Sequence, residues 1–220
     1  MRVGELSRRS GVSVPSIKYY LREGMLPAGE RTGPNQADYG EDHVRRLRLV
    51  RALLDVGGLS VAAAKEVLAA VDGDVPLYEA LGAAQDAVVT VPGGVSDEAA
   101  AEARAKVDGL VARRGWRVTE ANPGRRAAAD VLATYARLGW PQFGEAIDDY
   151  AAAMEQLAAR EVESVLSGTD GGGRERAVEG AVTGTVLGGS LLLALRVMAQ
   201  ADASARLLGA DPSDKFTTDS

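Results

Sequence analysis

Hydrophobic residues recur at helical spacing along most of the chain, in segments separated by glycine and proline. Val3 and Leu6 share one side of a first helical segment that closes near Ser10. Gly11-Val12-Ser13 then forms a tight turn, with Ser13 suited to cap the next helix. Pro15 falls in the first turn of that helix, where its missing N–H costs nothing. The helix is predicted to run to about Glu23. Ile17, Tyr20 and Leu21 take its inner side by i, i+3, i+4 spacing, and Pro15, Ser16, Lys18, Tyr19 and Arg22 take the outer side. Gly24 ends it. The segment MLPAGERTGPNQADYG that follows mixes three glycines and two prolines with polar residues and predicts a hairpin or extended loop.

A helix starting near Glu41 has acids at its N-terminus and a regular apolar face of Val44, Leu47, Val50 and Leu54. Arg45, Arg46, Arg48 and Arg51 occupy its remaining surface. Gly57-Gly58 stop it, and Ser60 caps a short helix over 61–71. Beyond that point breaks at 72–76 and 90–95 enclose a helix over 77–89. Ser96 is the expected cap of a helix over 97–114, and Asn122-Pro123 opens another that reaches 138. Gly139-Trp140-Pro141 interrupts before a long helix over 142–166. A glycine-rich loop at 167–173 leads to a last helix over 174–208, weakened by Gly180, Gly184, Gly188 and Gly189. The tail 210–220 is polar and expected to fray. The predicted fold class is mainly α. It has a head at 1–71, connecting and dimerisation helices at 72–118, and an all-α domain at 119–209.

Cysteine is absent, which excludes disulfides, thiolate chemistry and cysteine metal sites. No apolar N-terminal segment ends in a cleavage site, and the apolar stretch 182–195 is short and rich in glycine. A cytoplasmic protein with no membrane segment is therefore expected. The net charge of −6 is unevenly placed. Through Val71 there are eleven Lys+Arg against eight Asp+Glu, and beyond it fourteen against twenty-three, giving +3 and −9. A basic head on an acidic body suits a protein that meets a polyanion at one end only.

Two short helices joined by a glycine-containing turn, with cations on the outer face of the second, form a helix-turn-helix signature. The second helix of such a unit enters the major groove. Its outer face needs compact residues for close approach and long polar ones to reach bases or phosphates. Pro15 and Ser16 are compact; Lys18, Tyr19 and Arg22 reach. The residues Gly4-Glu5-Leu6, Gly11-Val12-Ser13, Ile17-Lys18-Tyr19-Tyr20, Glu23-Gly24-Met25-Leu26-Pro27, Arg31 and Tyr39 add specificity, as does the helix from Arg46-Leu47 to Leu53 before Gly57-Gly58-Leu59-Ser60. In this order they resemble the winged helix-turn-helix head of MerR-type transcription regulators.

The resemblance implies a homodimer on a near-palindromic double-stranded operator within a promoter. One recognition helix would sit in the major groove per subunit, the wings would grip phosphates, and RNA polymerase would engage the distorted promoter. It makes Ser13, Pro15, Ser16, Lys18, Tyr19, Arg22, Arg31, Tyr39, His43 and Arg46 the candidate DNA-binding residues. Tyr19 can instead pack at the helix–wing junction. Arg31 and Tyr39 can brace the wing, His43 can cap its helix, and Arg46 can belong to a solvated face. Family members usually carry Arg where this chain has Lys18. Lysine keeps the charge but loses the bidentate fork, which favours a phosphate contact over guanine readout.

Family members usually dimerise through one uninterrupted helix directly after the head. Here Pro76 and Pro92-Gly93-Gly94 break that region, so the dimer contact falls to 97–114 or to the C-terminal helices. The segment 184–200 reads as a dimer seam of small residues or as a plain core helix. In YARLGWPQFGEAIDDY, the residues Tyr135, Trp140, Phe143, Glu145 and Asp149 are the candidate site for a small organic effector. Aromatic walls beside carboxylates suit a cationic or amphipathic ligand. The same residues also suit a packed corner with solvated acids. No nucleophile–base pair, metal-ligand cluster or phosphate-cradling loop is visible, and DGGGRER lacks the context of a P-loop. No enzyme activity, catalytic residue, cofactor or metal is therefore assigned. A DNA-architectural or recombination accessory protein is the alternative, since small winged heads serve there too.

Overall fold

The architecture is described from a computed structural model covering residues 1–33, 36–73, 76–89, 97–167 and 173–209. Nine α-helices are described there: α1 Val3–Ser10, α2 Val14–Arg22, α3 Glu41–Arg51, α4 Val61–Asp72, α5 Leu77–Ala87, α6 Glu98–Arg114, α7 Pro123–Arg137, α8 Ile147–Ser167 and α9 Gly173–Leu208. Strands β1 (Glu30–Gly33) and β2 (Gln36–Asp38) pair antiparallel between α2 and α3, with Glu30 opposite Asp38 and Arg31 opposite Ala37. The tip of this wing, the break at 90–95, most of the expected 167–173 loop and the tail lie outside the described residues.

The starts of the helices follow the local chemistry. Ser13 accepts the Ser16 amide at 3.2 Å, Ser60 that of Ala63 at 3.1 Å, and Asn122 that of Arg125 at 3.3 Å. The cap of α6 is Asp97, not Ser96. Its carboxylate accepts the Ala100 amide at 2.8 Å, and an acid at a helix N-terminus gains from the helix dipole as well. The expected helix over 142–166 starts only at Ile147. Residues Pro141–Gly144 form a separate 3₁₀ turn whose i→i+3 bonds, Phe143 to Trp140 and Glu145 to Gln142, precede it.

Two small cores build the head. Leu6, Val12, Ile17, Leu26, Val44 and Leu47 close the first, flanked by Tyr20, Leu21 and Tyr39. The second contains Met25, Leu49, Val50, Leu53, Ala64, Val67, Leu68 and Val71. After Arg51, α3 continues as a π-helical turn, Ala52–Val56. The wider winding changes the phase of the apolar face, so Leu53 is buried and Leu54 only half-buried.

The C-terminal helix completes this second core. Val178, Val182 and Val186 of α9 are buried in it beside Ala84 of α5. Ser190 donates to the Val56 carbonyl at 2.8 Å, which satisfies a backbone acceptor at the end of the π turn. Helices α6 and α7 form a hairpin around Ala100, Ala103, Val107, Ala129 and Ala133. Arg114 and Trp116 both reach Glu155 of α8, at 3.1 and 2.7 Å.

Among the described residues one helical span, Ala177–Leu208, is long and apolar enough to cross a membrane by length and composition alone. The stretch 182–195 is thus the middle of a longer apolar helix. The valines buried in the head belong to this same span.

Candidate nucleic-acid interface

Helix α2 is set by Ile17, which is fully buried in the first core, and by Tyr20, which packs against both cores. Burial, with Asp55 nearby, raises the phenol pKa of Tyr20 above its usual value. Pro15, Lys18 and Arg22 are exposed on the outer side, and Ser16 is half-buried. Ser13 and Ser16 share a hydroxyl–hydroxyl hydrogen bond at 2.8 Å, so both hydroxyls are engaged at the start of the helix.

Tyr19 is half-buried. Its ring meets Tyr20 edge-on at 5.8 Å, and the Arg22 guanidinium lies 5.3 Å from its centroid. The two tyrosines are therefore not cleanly divided between inside and outside. Tyr19 packs against the second core and keeps part of its side chain at the surface.

On the wing, Arg31 is exposed on β1. Arg2 joins the wing to α1 by donating to the Thr32 hydroxyl at 2.7 Å and pairing with Asp38 at 3.5 Å. The sequence offers no periodic signal for Arg2, because its partners lie some thirty residues away in the hairpin. Gly29 allows the wing to close: a β-carbon there would lie 2.6 Å from the Asp38 carbonyl oxygen and 2.9 Å from the Tyr39 ring. Tyr39 exchanges backbone hydrogen bonds with Met1, at 2.9 and 2.8 Å, while its ring packs on the first core. His43 Nδ1 accepts the Gly40 amide at 3.1 Å as a helix cap, and its ring stands edge-on to Tyr39 at 5.1 Å. His43 Nε2 is buried without a hydrogen-bond partner among the described residues.

The arginines of α3 are mostly neutralised from within. Arg46 donates to the Met25 carbonyl at 2.8 Å and to both Asp72 oxygens at 2.7 and 2.6 Å, with only 10% of its side chain exposed. Arg45 pairs with Asp42 and Arg51 with Asp55, while Arg48 reaches the Arg9 carbonyl. The cations left without an acidic partner among the described residues of the head include Lys18, Arg22 and Arg31, together with Arg8 at the end of α1. Apart from Arg48 of α3, which reaches only a carbonyl, these remaining charges lie on the recognition helix, the wing and α1. The interface is thus narrower than the count of basic residues suggests.

In the body, Tyr135, Phe143 and Trp140 do meet. Trp140 stacks on Phe143 at 5.7 Å, and Tyr135 is edge-on to Phe143 at 5.7 Å. Trp140 and Phe143 are both about half exposed, and Glu145 and Asp149 are exposed. The three aromatics form an open surface cluster rather than a walled site. A cleft of about 500 Å³ lies elsewhere, between α5, α8 and α9, and is lined by Leu81, Ala158, Glu161, Val165, Ala181 and Gly184 among others.

A family described as the MerR HTH family regulatory proteins matches residues 1–71. The "Heavy metal-dependent transcription regulator 2" of Rhizobium meliloti (strain 1021) is 42% identical over 69 residues, 31% of this chain and 46% of that protein. The ZntR homologue of Haemophilus influenzae, an HTH-type transcriptional regulator, is 36% identical over 50 residues, 23% of this chain and 37% of that protein. The chain thus spans less than half the length of these curated relatives. The crystal structure of a candidate transcriptional regulator, SCO5550 of Streptomyces coelicolor A3(2), is similar over nearly the full length. It is 38% identical, covers 96% of this chain and 99% of its own, and superposes with a TM-score of 0.71. Through its helix-turn-helix head and this full-length likeness, the chain belongs to the MerR family.

Proposed function

We propose that the protein is a sequence-specific, DNA-binding transcription regulator that acts in the cytoplasm as a homodimer on a promoter operator. The observation that carries this is the distribution of free charge. Arg45, Arg46 and Arg51 are paired with acids, while Lys18, Arg22 and Arg31 stay unpaired on the recognition helix and wing. A side chain held in an internal ion pair gains little by moving to a phosphate, whereas an unpaired one releases counterions when it binds. Lys18, Arg22 and Arg31 are therefore the DNA contacts, with Pro15 and Ser16 giving close approach and Tyr19 offering its edge. Ser13, Tyr39, His43 and Arg46 shape the head. RNA polymerase is the expected partner at the bound promoter.

Genomic fragments selected by the purified protein, followed by footprinting, test this. Protection across a promoter spacer is the expected result. Protection at recombination sites would instead support an accessory role, and no selection of any sequence would end the proposal.

Control by a small organic effector is a second reading, favoured by the cleft between α5, α8 and α9. One face of α9 lines that cleft, and Val178, Val182 and Val186 of the same helix fill the head core. A ligand there would press on an element shared with the DNA-binding head. Some curated relatives, the Rhizobium meliloti regulator among them, carry metal-linked names, but a chain without cysteine has no thiolate with which to hold such an ion.

A further inference from the structure

Side chains hold backbone carbonyls at two helix ends in the head. At the end of α1, Arg48 reaches the Arg9 carbonyl at 3.4 Å and Arg51 the Gly11 carbonyl at 3.3 Å. At the end of the π turn, Ser190 of α9 donates to the Val56 carbonyl at 2.8 Å. The last carbonyls of a helix lack amide partners within it, so each of these bonds fixes a helix end. Cations also suit the negative C-terminal end of α1.

Arg51 and Asp55 join the two ends. Nε of Arg51 donates to Asp55 at 2.8 Å, while a terminal nitrogen of the same guanidinium holds Gly11. Asp55 directly precedes Val56. The pair also stands beside the recognition helix. The Tyr20 phenol, raised in pKa chiefly by burial, is raised further by Asp55 and lowered in part by Arg51. A continuous path therefore runs from Ser190 through Val56, Asp55 and Arg51 to Gly11 and Tyr20. Val186, one turn before Ser190, lies against Gly57 and grips the π turn at a second point. Gly11, with φ of +72°, is the bend of the helix-turn-helix and leads within a few residues to Ser13, Pro15 and Ser16.

The π turn is the element of this path that can change. The Gly57 amide bonds the Ala52 carbonyl at 2.8 Å across five residues instead of four, so the turn holds one residue more than an α turn. Release of that residue would rotate the positions after it by about 100°, one residue's share of a 3.6-residue turn. Asp55 would leave Arg51, and the Val56 carbonyl would leave Ser190. We propose that Ser190 and Arg51 are positioning residues for DNA binding, through which the last helix sets the pose of the recognition helix by way of the π turn. Arg51, held on Asp55, braces the turn and does not meet phosphate. The proposal rests on the reading of α2 as the DNA-contacting helix for its consequence, but the path stands without that reading. Gly184, which lines the cleft, is six residues before Ser190, on the order of 9 Å along α9. A displacement of α9 at the cleft would thus arrive at the Val56 carbonyl.

Backbone amide NMR spectra of the full-length protein test the path without DNA. Ser190→Ala is expected to shift the amides of Gly11, Val12 and Ser16 as well as those beside Val56, and Ser190→Thr, which keeps the hydroxyl, to restore them. On an operator selected from genomic fragments, Ser190→Ala is expected to weaken binding about fivefold, the size of one neutral hydrogen bond, with no change in salt dependence. Arg51→Ala should also weaken binding at an unchanged salt slope, and the double variant should bind no more weakly than Arg51→Ala alone. Amide shifts confined to α9 and the π turn would overturn the proposal, as would additive losses in the double variant. So would a lower melting temperature in Ser190→Ala with the α2 amides and operator affinity unchanged, the mark of a merely structural bond. A shallower salt slope in Arg51→Ala would make that residue a phosphate contact and end its positioning role. If no operator is selected, the DNA-binding reading fails by itself and the amide shifts still decide the path.

Discussion

Gly57 and Val186 occupy one space: a β-carbon at Gly57 would overlap Cγ1 of Val186 and lie 2.8 Å from the Leu53 carbonyl oxygen. Residue 57 ends the π turn of the DNA-binding head, and Val186 belongs to the last helix of the chain. The head is therefore built around a helix that arrives more than a hundred residues later. Gly57→Ala is predicted to destabilise the protein by about 1–3 kcal/mol, the usual range for overpacking. Urea unfolding measures it. Val186→Ala is itself destabilising through its cavity, but combined with Gly57→Ala it should cost less than the sum of the two. Additive effects would show that the residues do not compete for the same space.

Arg46 and Asp72 yield a second prediction. The guanidinium of Arg46 holds the Met25 carbonyl and both Asp72 oxygens, so it ties the start of the wing to the end of α4. Arg46→Ala should lower stability by about 1.5–3 kcal/mol, the range for hydrogen bonds to charged groups. Arg46→Lys should recover only part, since lysine cannot make the forked contact. Below the melting transition, neither variant should change the salt dependence of DNA binding.

The contrast between these positions shows what the linear sequence carries. Ser13, Pro15 and Ile17 encode their roles locally, through a cap, a first-turn proline and helical phase, and each is found in that role. The outward positions of Lys18 and Arg22 are local in the same sense. Arg46 is ambiguous in sequence because its partner Asp72 is twenty-six residues away, and an arginine on a helix looks the same paired or free. Helical phase alone turns Tyr19 outward, yet α2 is short and lies across two cores, so both sides of its middle turn are partly covered. The part of α9 that enters the head is the least legible. Valine at i, i+4 and i+8 signals an apolar face but does not say which distant core it fills. The aromatic cluster of Tyr135, Phe143 and Trp140 is readable from the proline-interrupted corner, but its openness is not, because enclosure depends on neighbouring helices.

Asp97 gives a prediction in pH. Its carboxylate accepts two hydrogen bonds from Arg137, each at 2.8 Å, and also caps α6, which together lower its pKa from 3.8 to about 2. A lowered pKa means that the ionised form favours the fold. The contribution is fully present above about pH 4 and is lost as the pH falls toward about 2. Titration of the Asp97 side chain by NMR should give a midpoint near 2 and not near 3.8, and Asp97→Asn should abolish that part of the acid dependence of the α6–α7 hairpin. A midpoint at the ordinary aspartate value would mean that the Arg137 contact does not persist in solution.

The salt dependence of DNA binding separates charges that meet phosphate from charges that hold the head together. Lys18 is exposed, has no ion-pair partner among the described residues and stands on the outer side of α2. Arg46 is nearly covered and paired. If Lys18 meets a phosphate, Lys18→Ala removes one released counterion per subunit, and the slope of log K against log salt should become shallower by about 0.9 for each phosphate that is no longer neutralised. A symmetric dimer carries two such lysines, so the change should be about 1.8 per operator, with affinity falling most at low salt. Arg31→Ala should act in the same direction if the wing also meets phosphate. Tyr19→Ala should weaken binding without the charge-dependent change in slope, because an edge contact from a phenol releases no ion. An unchanged slope in Lys18→Ala, or a shallower slope in Arg46→Ala, would reverse the division of the head's cations into contacting and bracing sets.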